Sequence, residues 1–535
     1  MIQHRLSDYV SALRPLLVTP ACRMAGESST QDLLRPVLPG SDDAADPVIS
    51  QVTYDSREVR PGALFVCKGI HFSPEYVRQA VSRGAVAYVS ETVYPGLGVG
   101  CLQVSDIRQA LATVGAVYYD HDWDELTLIG VTSTKGKSTT TVFIHSILTA
   151  WARALGKPRP GILTSIRYED GVVDEEATRT TPETLDLYRH LHNGVISSVG
   201  SMCVEVSSQA LRYKRVANMR FEVGCFLNIS EDHISPQEHP DYEDYLNAKL
   251  ELFNQSRMAV VNARTQDHDR VMEAASKCER VVTFALRGPD DVQADIMGTD
   301  IKQVGMIQNF TVRLDGADHR FSIRLPGSFN VENALAAVGA ATCLGVPLDS
   351  IRAGLDQARV PGRMEVFHLD RGTTVIVDYA HQKLSLETLL AWARHDYPSA
   401  PITMVFGLPG EKALNRRQEF AVLAGLNAEE IYLTEDDPGQ VPVVDICRQV
   451  DRFIQSAGHP PAHIVPDRPE AIVRALDSAP DNGLVLILGK GSERWQYRGV
   501  DTVVVPSDTD TVRRYLNQPV DSLTIKSVGR SSRLS

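Results

Sequence analysis

Three things are scarce in this chain, and each absence excludes a class of protein. Its 8 cysteines (Cys22, Cys67, Cys101, Cys203, Cys225, Cys278, Cys343 and Cys447) are scattered, with no pair at the spacing of a zinc knuckle or dithiol motif. Free buried thiols are therefore expected, not a metal framework or a disulfide scaffold. No uninterrupted apolar run reaches membrane-spanning length, and the stretch Met1 to Val10 has no long apolar core of a signal peptide. A soluble, cytoplasmic protein with no membrane partner is expected. Basic residues are outnumbered, 54 Lys and Arg against 67 Asp and Glu for a net charge of −13. That balance excludes a nucleic-acid surface, which needs clustered cations to meet phosphates. It leaves room for one nucleotide held by one basic loop.

What is present is length and pattern. A chain of 535 residues is too long for a single core and predicts three or four domains. Hydrophobic residues at 43% and charged residues at 23% are the mixture of an ordinary globular enzyme. The first block, residues 1–122, opens with an amphipathic stretch from Tyr9 to Leu17. A loose run rich in Gly, Asp, Pro and Ser follows from Gly26 to Pro47, and then short elements such as Ala63–Val66, Tyr76–Ser82 and Ala85–Val89. The second block, residues 123–358, starts on the apolar strand Leu126–Val131, then a helical pattern from Thr139 to Leu148. Further strands at Met202–Val206 and Val223–Asn228 end in polar residues, and a helix carrying Asn333–Leu344 closes the block. Strands alternating with helices, with chemistry-bearing residues at strand C-termini, predict a doubly wound parallel α/β sheet. Val360 to Arg363 reads as a linker into a third block, residues 359–520. There Thr374–Val377, Thr403–Phe406, Glu430–Leu433 and Leu484–Leu488 alternate with helices such as Glu387–Arg394, predicting a smaller Rossmann-like α/β domain. Residues 521–535 form a polar tail, and no internal repeat is visible.

Between the strand and helix of the second block runs Gly130 to Thr139, with Thr132, Thr134, Lys135, Gly136, Lys137, Ser138 and Thr139. Backbone N–H groups of such a turn can wrap phosphate oxygens, and the helix dipole favours their charge. Lys137 would neutralise the β- and γ-phosphates of ATP, and the Ser138 hydroxyl would ligate Mg²⁺. Val131 stands where a standard Walker A loop has its first glycine. The shorter Thr-x-Thr-x-Gly-Lys-Ser form is the pattern of Mur ligases and folylpolyglutamate synthetases.

From this loop onward the chain resembles the Mur ligases, in particular the branch that adds the third residue of the peptidoglycan stem peptide. The ordered matches are Tyr54-Asp-Ser-Arg57 with Gly62–Val66, Thr180-Thr-Pro-Glu183, Glu205-Val-Ser-Ser-Gln209, Asn228–His233 and Tyr245–Lys249. They continue through Phe329-Asn330 with Asn333, Pro361–Glu365, Asp378-Tyr-Ala-His381, and Gly489-Lys-Gly491 with Glu493. Cys67–Phe72 and Ile234–Pro240 are similar to the lysine-adding enzymes of streptococci, as is Gln209 in place of a commoner His.

The resemblance implies a three-domain ATP-dependent ligase that phosphorylates the D-glutamyl γ-carboxylate of UDP-N-acetylmuramoyl-L-alanyl-D-glutamate, after which an amine displaces phosphate. It implies catalytic Lys137, Glu205, His233 and Lys249, with Ser138, Glu205, His233 and a carbamylated Lys249 as the Mg²⁺ set. It also implies adenine-side contacts from Asn330 and Asn333, although a helix N-cap accounts for Asn330 as well. Arg363, Asp378 and His381 would lie near ATP. Thr180, Thr181, Ser207 and Arg215 would hold the nucleotide-linked dipeptide, and Ser56 its uridine end, unless Ser56 is simply a turn serine. Lys412, Asp436, Asp437 and Glu493 would meet the amino acid. Where diaminopimelate-adding relatives carry Asp-Asn-Pro-Arg, this chain has Asp436-Asp-Pro-Gly439. Loss of the Arg fork and gain of acid favour a side-chain ammonium, making L-lysine the expected substrate and L-ornithine or meso-diaminopimelate the alternatives. A folylpolyglutamate synthetase lacks the Tyr54–Arg57 block, and a silent scaffold needs none of the catalytic set. A monomer is expected.

Overall fold

A computed structural model describes residues 4–18, 46–69, 72–232, 234, 238–290, 292–304, 307–410 and 414–520. His233, Lys412, Cys22 and the tail from 521 lie outside the described residues. Among the described residues three large β-sheets and one two-stranded hairpin follow one another. The first has four parallel strands in the order β1 (Gln51–Thr53), β2 (Ala63–Val66), β3 (Ala85–Ser90) and β4 (Gly100–Gln103). β2 is buried on both faces because helices cover both, and it is correspondingly all apolar. The segment Tyr76–Ser82 belongs to the helix Pro74–Ser82, whose start is fixed by Pro74 at its first position and the Ser73 hydroxyl accepting from Glu75 N–H.

The second sheet is wider than the sequence pattern suggests. Its parallel centre runs β12 (Arg280–Leu286), β11 (Ser256–Asn262), β10 (Phe221–Phe226), β5 (Thr127–Thr132), β9 (Ser201–Glu205) and β6 (Gly161–Leu163). β13 (Ile296–Val304) adds in parallel beside β12, and then β14 (Ile307–Leu314) and β15 (Ala317–Ile323) extend that edge antiparallel. At the other edge an antiparallel hairpin of β7 (Arg167–Glu169) and β8 (Asp174–Glu176) follows β6. The expected parallel doubly wound sheet forms the centre, and antiparallel strands extend it at both edges. Central β5 reads Thr-Leu-Ile-Gly-Val-Thr because helices cover both faces. β14 alternates buried and exposed positions because one face is wet.

The helix after β5 begins at Lys137, two residues earlier than its apolar pattern, and runs to Ala154. The closing helix likewise starts at Ser328, with Gly327 at its boundary. Asn330 is therefore inside the first turn and caps nothing. The third sheet has the order β16 (Glu365–His368), β17 (Thr374–Asp378), β21 (Leu484–Leu488), β18 (Ile402–Phe406), β19 (Glu430–Leu433) and β20 (His463–Ile464), parallel except for β16. All five residues of β21 and of β18 are buried. Each such aliphatic side chain removed from water contributes about 1.5–3 kcal/mol, which fixes the rigid strand ends on which loops can be aimed. A short hairpin, β22 (Trp495–Arg498) and β23 (Asp501–Val504), completes the unit. No helix among the described residues is long and apolar enough to cross a membrane.

Candidate active site

The loop between β5 and Lys137 is held open by its neighbours. Asn228, just past β10, grips it twice: its Oδ1 accepts from Lys135 N–H (2.9 Å), and its Nδ2 donates to the Lys135 carbonyl (3.0 Å). Thr134 Oγ1 lies 3.1 Å from Tyr245 OH and accepts from Ser230 N–H at 3.1 Å. Gly136 has φ +88°, and a Cβ there would lie 2.2 Å from Asn333 Oδ1. Only glycine fits, on both grounds. Asn333 in turn donates to Asn330 Oδ1 (3.2 Å), and Asn330 donates to the Pro326 carbonyl (2.6 Å). These two buried asparagines thus pack directly under the loop.

Lys137 folds back on its own loop, donating to the carbonyls of Ser133 (2.9 Å) and Thr134 (3.2 Å). The fully buried Lys249 donates to the same Ser133 oxygen at 2.8 Å. Two ammonium groups on one acceptor repel each other. Burial, then Lys137, hold the Lys249 pKa well below its ordinary value, and burial lowers Lys137 despite nearby Glu205 and Asp232. Ser138 Oγ lies 3.0 Å from Ser165 Oγ, and the Ser165 N–H donates to the carboxylate of Glu205 at 2.9 Å. A hydroxyl at a helix start and one buried carboxylate at a strand end are a donor set that suits Mg²⁺, which takes few protein oxygens and completes its shell with phosphate and water. Lys249 as an ammonium could not join that set; as a carbamate it could. Among the described residues no group of three or more His, Cys, Asp or Glu gathers as a metal site. Thr132 and Thr139 are buried beside the loop.

In front of these lysines lies a cavity of about 220 Å³ lined by Lys137, Arg179, Thr180, Ser207, Arg215 and Lys249, among others. Thr181 supports its floor: its hydroxyl donates to the Glu205 carbonyl (2.8 Å) and accepts from Ser207 N–H (3.0 Å). Glu183, which carries no assigned role in the sequence reading, is the counter-ion of this wall. It pairs with Arg215 (2.6 Å), with Arg179 (3.6 Å) and with Lys68 from the first sheet's unit. Burial opposes its charge, but the three cations outweigh burial and bring its pKa down to about 2. Ser56 does not line this cavity; its hydroxyl donates to Gln79 Oε1 at 3.1 Å within its own unit.

A second, much smaller cavity of about 20 Å³ separates the central sheet from the third one. Ser165 and Glu176 line one side, and Arg363, Tyr379, Lys490 and Glu493 the other. Arg363 sits over the Tyr379 ring at 4.2 Å. Asp378 accepts from Met364 N–H and Ala380 N–H (both 2.8 Å), fixing the linker to β17, and burial raises its pKa. His381 donates from Nδ1 to the Tyr379 carbonyl at 2.8 Å. Glu493 accepts from Tyr379 OH (3.2 Å) and pairs with Lys490 (3.3 Å). Lys490 also pairs with Asp437 (3.1 Å). Burial lifts Asp436 to about 7. Lys135 bridges the two units, pairing with Asp232 (3.4 Å) and donating to Gln382. The structure therefore gathers the phosphate loop, Glu205, Lys249, Thr180, Thr181, Ser207 and Arg215 at one place. It sets Arg363, Asp378, His381, Asp436, Asp437 and Glu493 across the gap.

A P-loop sheet with a smaller Rossmann-like unit facing it is a nucleotide-binding architecture, and sequence comparison names the class. Residues 131–341 match the Mur ligase middle domain and residues 362–491 the Mur ligase, glutamate ligase domain. The chain belongs to the Mur ligases, the ATP-dependent ligases that add amino acids. More particularly, it is 35% identical over 483 residues to a UDP-N-acetylmuramyl-tripeptide synthetase of Lactobacillus delbrueckii subsp. bulgaricus, covering 86% of this chain and 92% of that protein. It is 33% identical over 466 residues to the UDP-N-acetylmuramoyl-L-alanyl-D-glutamate–L-lysine ligase of Enterococcus faecalis (86% and 90% covered). Among solved structures, a UDP-N-acetylmuramoyl-L-alanyl-D-glutamate–2,6-diaminopimelate ligase matches with a TM-score of 0.59 at 26% identity, covering 90% of this chain and 97% of that one. An ADP complex of a Mur ligase from Thermotoga maritima matches in fold at 16% identity, with a TM-score of 0.54 and 82% and 94% covered.

Proposed function

We propose that the chain joins L-lysine to the D-glutamyl γ-carboxylate of UDP-N-acetylmuramoyl-L-alanyl-D-glutamate, in the cytoplasm, at the expense of ATP. The observation that carries this reading is the cation-lined cavity directly in front of the phosphate loop, where Lys137 and Lys249 share one carbonyl. Two anions, a carboxylate and a triphosphate, must meet for phosphoryl transfer, and such a wall lowers their repulsion where it is greatest. Lys137 turns from its own loop to the phosphates. Arg215 and Arg179, already poised against Glu183, accept the carboxylate and pyrophosphate of the nucleotide substrate, with Thr180, Thr181 and Ser207 supplying hydrogen bonds. Asn330 and Asn333 face the adenosine side, with Arg363, Asp378 and His381 across the gap.

Ser138 and Glu205 would hold Mg²⁺, with His233 and a carbamylated Lys249 completing a second site; bound there, the metal neutralises charge developing on the transferred phosphoryl group. A depressed lysine pKa supports the carbamate, since only a neutral amine adds CO₂. Three units, residues 1–122, 123–358 and 359–520, close on the substrates and keep water from the acyl phosphate. Lysine is favoured because Gly439 presents no cation to a distal carboxylate, and Lys412, Asp436, Asp437 and Glu493 would meet the amino acid.

The test is phosphate release from Mg-ATP and the UDP-linked dipeptide, with L-lysine, L-ornithine and meso-diaminopimelate offered separately. Release with lysine and a product of matching mass is expected. Release with diaminopimelate alone would overturn the selectivity argument, and none with any of the three would overturn the ligase.

A further inference from the structure

Glu176 belongs to none of the motifs above, yet it is the one acid in the small cavity with no cation of its own. It ends β8, the outer strand of the edge hairpin, and is buried (7% exposed). Its Oε1 accepts the backbone N–H of Arg494 at 2.8 Å, 318 residues away on the facing unit. Its Oε2 is buried with no hydrogen-bond partner. Every cation nearby is already matched. Arg494 pairs with Asp510 through two bonds of 2.6 and 3.0 Å. Lys490 is held by Asp437 and Glu493. Arg363 stacks on Tyr379 beside Asp378, and Arg167, the register neighbour of Glu176 on β7, pairs with Glu169 and Asp174. An unpaired buried carboxylate oxygen is costly and calls for a visiting donor.

The cavity it lines has room, at about 20 Å³, for one group the size of water or ammonium. The wall opposite Glu493 is Ser165, whose hydroxyl touches Ser138 of the phosphate loop and whose N–H is bound to Glu205. The slot thus borders the phosphate loop through Ser165. We propose that Glu176 receives the α-ammonium of the incoming amino acid and takes its proton, so that the amine arrives at the acyl phosphate as a nucleophile. This rests on the ligase reading above and adds a catalytic residue to it. The amine nitrogen gives one proton to Glu176 Oε2, and its lone pair attacks the acyl carbon. The new C–N bond forms as the C–O bond to phosphate breaks. Phosphate leaves with that electron pair and takes up the second proton that nitrogen sheds, and Glu176 returns its own proton to water. Burial, with Glu493 and Asp510 nearby and Arg494 opposing, raises the Glu176 carboxyl to about 7, which suits a group that must accept and release a proton near neutrality.

The experiment compares two nucleophiles on Glu176→Gln in the full chain. Glutamine still accepts from Arg494 N–H, so the contact between units is kept. Hydroxylamine is already neutral at pH 7 and needs no base; it traps the acyl phosphate as a hydroxamate. Hydroxamate formation in the variant is expected within about twofold of the unsubstituted enzyme, while lysine-dependent phosphate release falls about 100-fold at pH 7. That deficit should shrink as pH rises and lysine loses its proton unaided. Equal losses with both nucleophiles would overturn the proposal and leave Glu176 a structural contact, and undiminished lysine turnover would overturn it as well. Absence of hydroxamate from the unsubstituted enzyme would instead overturn the acyl-phosphate reading beneath it.

Discussion

The two cavities differ in charge, and on the reading proposed above that difference separates the substrates. The larger is walled by Lys137, Arg179, Arg215 and Lys249, with Glu183 behind them as a shared counter-ion. The smaller has its cations matched by Asp378, Asp437, Glu493 and Asp510, which leaves one carboxylate oxygen over. A surplus of cations selects the triphosphate and the carboxylate that will be activated. A surplus of acid selects the ammonium that will attack. Ser165 lines the smaller cavity and is bonded to Ser138 of the phosphate loop and to Glu205. One enzyme can therefore hold mutually reactive partners apart until both are in place.

The largest effect expected on this contrast comes from Lys137→Ala. It removes the one cation of the phosphate loop that also faces the large cavity, so phosphate release should fall about 1,000-fold or more. The circular dichroism spectrum and melting temperature should stay near those of the unsubstituted chain, because Lys137 bonds only to its own loop. Full activity would sink the assignment of the loop.

Glu183→Gln comes next and probes the counter-ion. Removing one partner from a buried ionic cluster leaves Lys68, Arg179 and Arg215 uncompensated, at a cost of about 3 kcal/mol. The pH dependence has a definite sign. A carboxylate held down to about 2 stabilises the fold above the ordinary carboxylate range and loses that contribution as pH falls toward 2. Melting measured from pH 7 to 2.5 should therefore be flatter in the variant than in the parent. An unchanged slope would mean that the cluster is already screened by water.

The phosphate loop was legible in the sequence because all its chemistry sits in consecutive residues between a strand and a helix. Thr180, Thr181, Ser207 and Arg215 meet at one wall, Thr181 and Ser207 beside the end of β9 and Arg215 beyond the short helix Ser208–Arg212. Glu176 was not legible, since what matters about it is a neighbour 318 residues away. Only the Asp170-Gly171 turn that makes its hairpin is a local signal, with Asp170 accepting from Val172 and Val173 N–H. At Asn330 the structure removes the helix-cap alternative: Gly327 takes the boundary and the Asn330 amide reaches back to the Pro326 carbonyl. The acids at 436 and 437 look equally available in sequence, whereas packing commits Asp437 to Lys490 and the Tyr497 N–H.

Arg215→Met tests the large cavity alone. Loss of a charge-assisted contact of about 2 kcal/mol should raise KM for the UDP-linked dipeptide roughly 30-fold and leave KM for lysine unchanged. The smallest effect belongs to Gly439→Arg. Residue 439 has φ +58°, its N–H donates to the Tyr497 carbonyl at 2.9 Å, and its carbonyl accepts from Gly499 N–H at 2.7 Å. The backbone is thus committed to a left-handed turn that arginine adopts only at a cost of about 1–2 kcal/mol. If the turn is kept, an arginine starts from a backbone pinned to the β22–β23 hairpin, beside an Asp437 that Lys490 already neutralises. The variant should melt a few degrees lower, keep lysine as its substrate and gain no diaminopimelate turnover. A gain of that activity from this one substitution would show that the charge at position 439, and not the surrounding turn, decides which amino acid enters.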